Sequence, residues 1–235
     1  MRPIGFSTGA LAYADFRQAL EMLKGTRCNS IELSALRQRE LIPLVESIDT
    51  LDLSSFEYVA IHAPSEFGAD TELAIRDRLQ GIAWRQWQII VHPDAIHDFA
   101  FWRDLGSLLC IENMDKRKPV GRTANELSLI FEKLPDATLC FDIGHARQCD
   151  PTMTEAYFIL RNFGSKLRQI HISEVNSQSK HDCLSHGSIL AFQQVAELIP
   201  ETIPLILETP VIRSNIDVEI EKAMQAMSRV EVMVA

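Results

Sequence analysis

Eight short apolar runs recur along the chain: PIGFS (3–7), NSIEL (29–33), YVAIH (58–62), WQIIVH (87–92), SLLCIE (107–112), ATLCFD (137–142), LRQIHIS (167–173) and IPLILE (203–208). They are apolar throughout rather than alternating. That pattern suits strands covered on both faces, as in a parallel sheet. Amphipathic stretches separate them, among them DFRQALEMLKG (15–25), TELAIRDRLQGIAW (71–84), TANELSLIFEKL (123–134) and AFQQVAELIP (191–200). Lys24-Gly25 and Pro135 supply helix stop signals. Strand–helix alternation repeated eight times predicts an α/β chain folded as a (β/α)8, or TIM, barrel, with residues 1–235 forming a single domain. SEFGAD (65–70) and NSQSKHD (176–182) read as loops.

Seven of the eight runs finish in a carboxylate or an imidazole: Glu32, His62, His92, Glu112, Asp142, His171 and Glu208, at intervals of 30, 30, 20, 30, 29 and 37 residues. In an eight-stranded parallel barrel all C-terminal strand ends open on one mouth, where active sites are built. Taken singly, a Glu or His at a strand end is most simply a cap or a turn residue. Seven at one mouth are another matter, because crowded carboxylates repel and raise one another's pKa. A divalent cation removes that repulsion and uses imidazole nitrogens and carboxylate oxygens directly. Glu112, Asp142, His171 and Glu208 form one expected set, and His62 and His92 with a bridging Glu112 form a second. His145, three residues after Asp142, and His181, in the loop after strand seven, suggest a third. The donor types suit Zn, Mn, Fe, Co or Mg, one to three ions, with nitrogen tilting the choice away from magnesium alone. His97 is expected in the helix after strand four, and His186 in a solvent-facing SHG turn.

The remaining composition narrows the class. The net charge of −9 argues against indiscriminate nucleic-acid binding, which rests on phosphate neutralisation. No apolar run reaches membrane-spanning length, and the N-terminus lacks a signal-peptide pattern. Five cysteines without CxxC spacing read as reduced thiols, so a cytoplasmic location is expected. The apolar residues of AMQAMSRVEVMV (223–234) suit packing on the barrel or on a second subunit, which leaves the oligomeric state open.

The order of these motifs resembles the xylose isomerase-like TIM barrels, the superfamily of sugar isomerases and epimerases and of endonuclease IV-like (AP endonuclease family 2) enzymes. IHAP (61–64) and VHP (91–93) look like the two His-bearing strands of endonuclease IV, IEN (111–113) like its bridging-glutamate strand, and CFDIGHA (140–146) like its Asp-x-x-His strand. IHISE (170–174), HDCLSHG (181–187) and ILETP (206–210) look like its last metal motifs. The resemblance implies a first metal on His62, His92 and Glu112, and a second on Glu112, Asp142, His171 and Glu208. A third site would take a His, an Asp and a His. Here His145 and His181 are present, but Ser179 stands at the Asp position, and a hydroxyl binds a cation far more weakly than a carboxylate. The sugar isomerase and epimerase branch uses only the central set, with Glu112 and Glu208 moving the substrate proton as catalytic residues.

Basic residues gather on the same mouth. Arg37 follows strand two, Lys116 and Arg117 strand five, Arg147 strand six and Lys180 strand seven, which suggests binding of a small anionic, sugar-type substrate. Pairing with Asp115, Glu40 or Asp150 is the plainer account of each alone. The Ser179 replacement, short loops and acidic charge favour a sugar or sugar-phosphate isomerase or epimerase. The extra histidines favour a multinuclear phosphoesterase, with nucleic acid as a less favoured partner. A metal-binding protein without turnover is the third option.

Overall fold

The computed structural model describes residues 2–228, so residues 229–234 of the C-terminal apolar stretch lie outside the described residues. The strands are β1 (Ile4–Ser7), β2 (Ser30–Ser34), β3 (Tyr58–His62), β4 (Gln88–Val91), β5 (Leu109–Glu112), β6 (Thr138–Asp142), β7 (Leu167–Ile172), a short hairpin of β8 (Glu174–Val175) and β9 (His181–Asp182), and β10 (Leu205–Leu207). All but the hairpin close into one parallel barrel, in the order β1-β10-β7-β6-β5-β4-β3-β2. The helices are α1 (Thr8–Ala12), α2 (Phe16–Leu23), α3 (Gln38–Ser47), α4 (Ala69–Gln80), α5 (Phe99–Trp102), α6 (Ala124–Lys133), α7 (Ile143–Cys149), α8 (Thr154–Phe163), α9 (His186–Gln193) and α10 (Ile216–Ala226). This is the (β/α)8 TIM barrel, with a strand at each of the eight apolar runs.

Side-chain parity places the chemistry. Ile31, Leu33, Ile61, Ile89, Val91, Ile111, Leu139, Phe141, Ile170 and Ile172 belong to the large core between barrel and helices. Ala60, Ile90, Cys110 and Cys140 form a separate cluster, on the alternate, inward face of their strands. Two residues further along the same face come His62, His92, Glu112 and Asp142, so the inward row of four strands ends in four polar groups. The β6–β7 register, shifted between Leu139 and Cys140, sets Asp142 directly beside His171.

Glu32 departs from the expectation. Strand β2 runs on to Ser34, and Glu32 pairs in register with Ala60 while Ser34 pairs with His62. Glu32 therefore lies one layer below the mouth. Ser34 takes the rim position, with its Oγ 2.7 Å from that of Ser7. The last helix before β10 also starts earlier than its pattern suggests. Ser185 and Ser188 form a capping box that begins α9 at His186, inside the segment read as a turn, and the expected stretch 191–200 holds only its end. His186 is exposed. His97 is not helical: it sits between Ala95 and the N-cap Asp98 of α5, with its Nε2 2.9 Å from the Phe67 carbonyl.

The β4–α5 connection is fixed by one buried carboxylate. Glu72 of α4 accepts from the His97 backbone N–H at 2.8 Å, the Asp98 N–H at 3.0 Å and Trp102 Nε1 at 2.9 Å. Glu72→Ala strands three donors in the interior, so a loss of about 2–4 kcal/mol is expected in urea unfolding. A loss under about 0.5 kcal/mol, the range of ordinary surface changes, would show the connection is held otherwise. All five cysteines are free, and no helix among the described residues is long and apolar enough to cross a membrane.

Candidate metal centre

Glu112 sits at the centre of the mouth, 1% exposed. Its two oxygens face different partners. Oε2 lies 3.2 Å from His62 Nε2 and 3.3 Å from His92 Nε2. Oε1 lies 3.3 Å from His145 Nδ1 and 3.4 Å from His171 Nδ1. Two ligand groups result, His62–His92–Glu112 and Glu112–Asp142–His171–Glu208, each with one donor atom per residue and all within 4.8 Å of one another.

The imidazoles are oriented for donation. His62 Nδ1 lies 2.7 Å from the Ala63 carbonyl, which fixes that nitrogen as an N–H and turns Nε2 toward Glu112, the nitrogen that would face a cation. His171 is reversed, with Nε2 2.8 Å from Glu32 Oε2 and Nδ1 toward the mouth. Asp142 caps α7 with one oxygen, Oδ1, which accepts from the His145 N–H at 2.7 Å. Its other oxygen, Oδ2, and His171 Nδ1 are buried without a hydrogen-bond partner. Buried polar atoms are rarely left so, and these two belong to the same ligand group. The donor set therefore fits a divalent cation.

The crowded acids and bases of this cluster shift one another's proton affinity. Burial alone would lower the His62 imidazole, but the Glu112 hydrogen bond and the charges of Glu32 and Glu112 outweigh it and hold the group at about 9. Burial likewise opposes His145, which Asp142 and Glu112 lift to about 10. Burial pushes Asp142 up to about 6 against the attraction of His145, and the charges of Glu208 and Glu112 add to the rise. Burial also raises Glu208. His92 is lowered by burial, with Glu112 opposing. His181, which burial also lowers, stays neutral.

Of the expected third set, His145 and His181 lie together, with ring centroids 5.5 Å apart, but no third donor joins them in a ligand group among the described residues. His145 turns its Nδ1 to the Asn113 carbonyl at 3.0 Å and to the central carboxylates. His181 Nδ1 is 2.7 Å from Ser173 Oγ and 3.6 Å from Glu208 Oε2. Ser179 is tied to Gln148, whose Nε2 donates to its Oγ at 2.7 Å. Asp182 is exposed and accepts from Asn176 at 2.8 Å, so it supplies no replacement carboxylate.

The basic rim divides. Arg37 pairs with Glu40 at 2.9 Å, and Arg117 pairs with Asp115 at 3.1 Å while donating to the Ser179 carbonyl at 3.0 Å. Arg147 pairs with Glu174 at 3.3 Å rather than with Asp150. Lys116 and Lys180 are exposed and form no ion pair among the described residues. Three residues of the centre carried no separate signal in the sequence. Asn113 donates to the Asp142 carbonyl and accepts from its N–H, both at 2.8 Å, extending the β5–β6 ladder beyond the strand. Ser173 orients His181. Gln169, two residues before His171 and on the same inward face, contacts Glu32.

The fold is that of the xylose isomerase-like TIM barrels. The chain superposes on endonuclease IV from Thermus thermophilus with a TM-score of 0.61 and 19% identity, over 96% of this chain and 100% of that one. The 3-keto-D-glucoside 4-epimerase of E. coli gives a TM-score of 0.58 and 12% identity over 96% and 99%. A xylose isomerase-like TIM barrel protein from Mycobacterium smegmatis, in complex with magnesium, gives 0.59 and 13% over 97% and 98%. No protein-family model matches the chain, and no curated protein matches it significantly.

Proposed function

We propose that this chain is a one-domain, metal-dependent enzyme that hydrolyses a phosphate ester at a two-cation centre. His62, His92 and Glu112 hold one ion, and Glu112, Asp142, His171 and Glu208 the other. The observation that carries this reading is the division of the two Glu112 oxygens between two ligand groups. Two divalent cations held there would supply Lewis acidity toward a phosphoryl oxygen and make water acidic enough to act as nucleophile at neutral pH. Glu112 keeps the two groups in one rigid frame. His181, its proton affinity held low by burial, is oriented through its Nδ1 by Ser173 at 2.7 Å. Lys116 and Lys180, exposed and in no ion pair among the described residues, are the rim cations best placed to draw in an anionic substrate. Arg37, Arg117 and Arg147 are committed first to loop structure.

The order of preference read from the sequence is thereby reversed, because a one-cation isomerase has no use for His62 and His92. One observation supports a sugar isomerase or epimerase as second reading. Glu112 and Glu208 lie 3.4 Å and 3.6 Å from His171 Nδ1, and burial gives Glu208 a raised proton affinity, as suits a carboxyl group that exchanges a carbon-bound proton.

The test is stoichiometry joined to turnover. Protein loaded with Zn2+ or Mn2+ is expected to retain two ions and to release product from bis(p-nitrophenyl) phosphate, from sugar phosphates or from an abasic-site duplex. One retained ion, with deuterium from D2O entering a ketose and no ester cleavage, would reverse the assignment to the isomerase.

A further inference from the structure

Glu32 is given no part in the chemistry above, yet it lies inside the barrel, 0% exposed. A carboxylate in such a place is costly unless charged or donating groups meet it. Two do. Its Oε2 receives His171 Nε2 at 2.8 Å and Gln169 Nε2 at 2.6 Å. Gln169 is steadied in turn by the Tyr58 hydroxyl, which donates to its Oε1 at 2.7 Å. A polar column thus descends from the mouth: His171, Glu32, Gln169, Tyr58. Its members come from three strands, β7, β2 and β3, so packing on any single element does not explain it.

We propose that Glu32 is the positioning residue for the cation held by Glu112, Asp142, His171 and Glu208, an inference that rests on the metal-centre reading. Gln169 Nε2 also lies 2.8 Å from His171 Nε2, and of the three atoms only the Glu32 carboxylate oxygen cannot donate, so Glu32 takes the proton of His171 Nε2 and aims the Nδ1 lone pair into the ligand group, where that atom lies buried and unpartnered. The other group is supported differently. His62 is oriented by the neutral carbonyl of Ala63. A carboxylate partner raises the basicity of a ligating imidazole more than an amide carbonyl does, and loss of such a partner weakens metal binding about 10–100-fold. The two sites are therefore unequal, and Glu32 sets the inequality.

The experiment is titration of the full chain with Co2+ against a competing chelator, followed by visible absorption, for the wild type and Glu32→Gln. The wild type is expected to show two affinity classes. In Glu32→Gln the tighter class is expected to weaken about 10–100-fold, with a changed absorption band, while the weaker class stays within about threefold. Equal weakening of both classes marks a general structural loss and overturns the proposal, as does an unchanged tighter class. A wild type that binds no Co2+ overturns the metal-centre reading itself, a separate outcome. Should Glu32→Gln fail to fold, long-range 1H–15N NMR of the wild-type histidines with Zn2+ decides. A proton on His171 Nε2 with Nδ1 ligated supports the role, and the opposite tautomer removes it.

Discussion

Glu112→Gln is expected to abolish turnover, lowering kcat by about a thousandfold or more, the scale reached when one preorganised electrostatic group is removed. The argument is geometric. Each Glu112 oxygen lies between two imidazoles, Oε2 near His62 and His92 and Oε1 near His145 and His171. A glutamine keeps the shape but offers one oxygen. Its NH2 must face one ligand group, where it donates instead of accepting. That group loses its carboxylate, and the pair of groups loses its shared negative charge. Metal analysis should find one ion fewer per chain, with the kcat loss independent of added metal. A variant that keeps both ions and normal kcat would mean the chemistry lies elsewhere in the molecule.

Metal loading should raise thermal stability by an amount that grows with pH. At about 100 times Kd for each of two sites, binding adds about 5 kcal/mol, or about 10–20 °C for a chain of this size. The pH dependence follows from the protons that replace the cations. His62 is held at about 9 and His145 at about 10 in the metal-free fold, above the ordinary 6.5 of the unfolded chain. A raised folded pKa contributes stability that is complete below the unfolded value and is lost as pH climbs through the folded one. The metal-free protein therefore loses this support between about pH 6.5 and 10. Asp142, at about 6, acts in the same sense at lower pH. His181 acts oppositely, but only below about 6.5, where its unfolded form takes up a proton. The loaded protein no longer depends on those protons, since the cations replace them. Melting curves with Zn2+ or EDTA between pH 6 and 9 should separate progressively. A gap that stays constant or narrows would refute the account.

The barrel was legible because its strands are buried on both faces, which forces unbroken apolar runs, and the mouth because seven of the eight runs finish in a carboxylate or an imidazole. Depth inside the barrel was less so. Glu32 stands 30 residues before His62 and looks like one more rim ligand. Only the pairing of Ser34 with His62 shows that its strand continues past it, and no local signal records that. Partner choice among the rim cations was equally hidden. Arg37 finds Glu40 within its own helix start, a pairing local sequence does suggest. Arg147 finds Glu174 across two connections, which only the closed barrel brings together. The early start of the helix after β9 has a simpler cause: the Ser185–Ser188 cap resembles a turn until its reciprocal hydrogen bonds are seen.

The Asn113 amide, bonded both ways to the Asp142 backbone, divides the site into a fixed base and a separate upper tier. It welds the roots of two ligand strands into a chassis that does not rely on the segments above it. The upper segments, including the hairpin and the lysine-bearing turns, stand outside that bond and meet the barrel through side chains such as Arg117 and Gln148. Grafting a foreign 176–180 turn should redirect what the protein accepts while its titrated Co2+ affinity stays within about threefold.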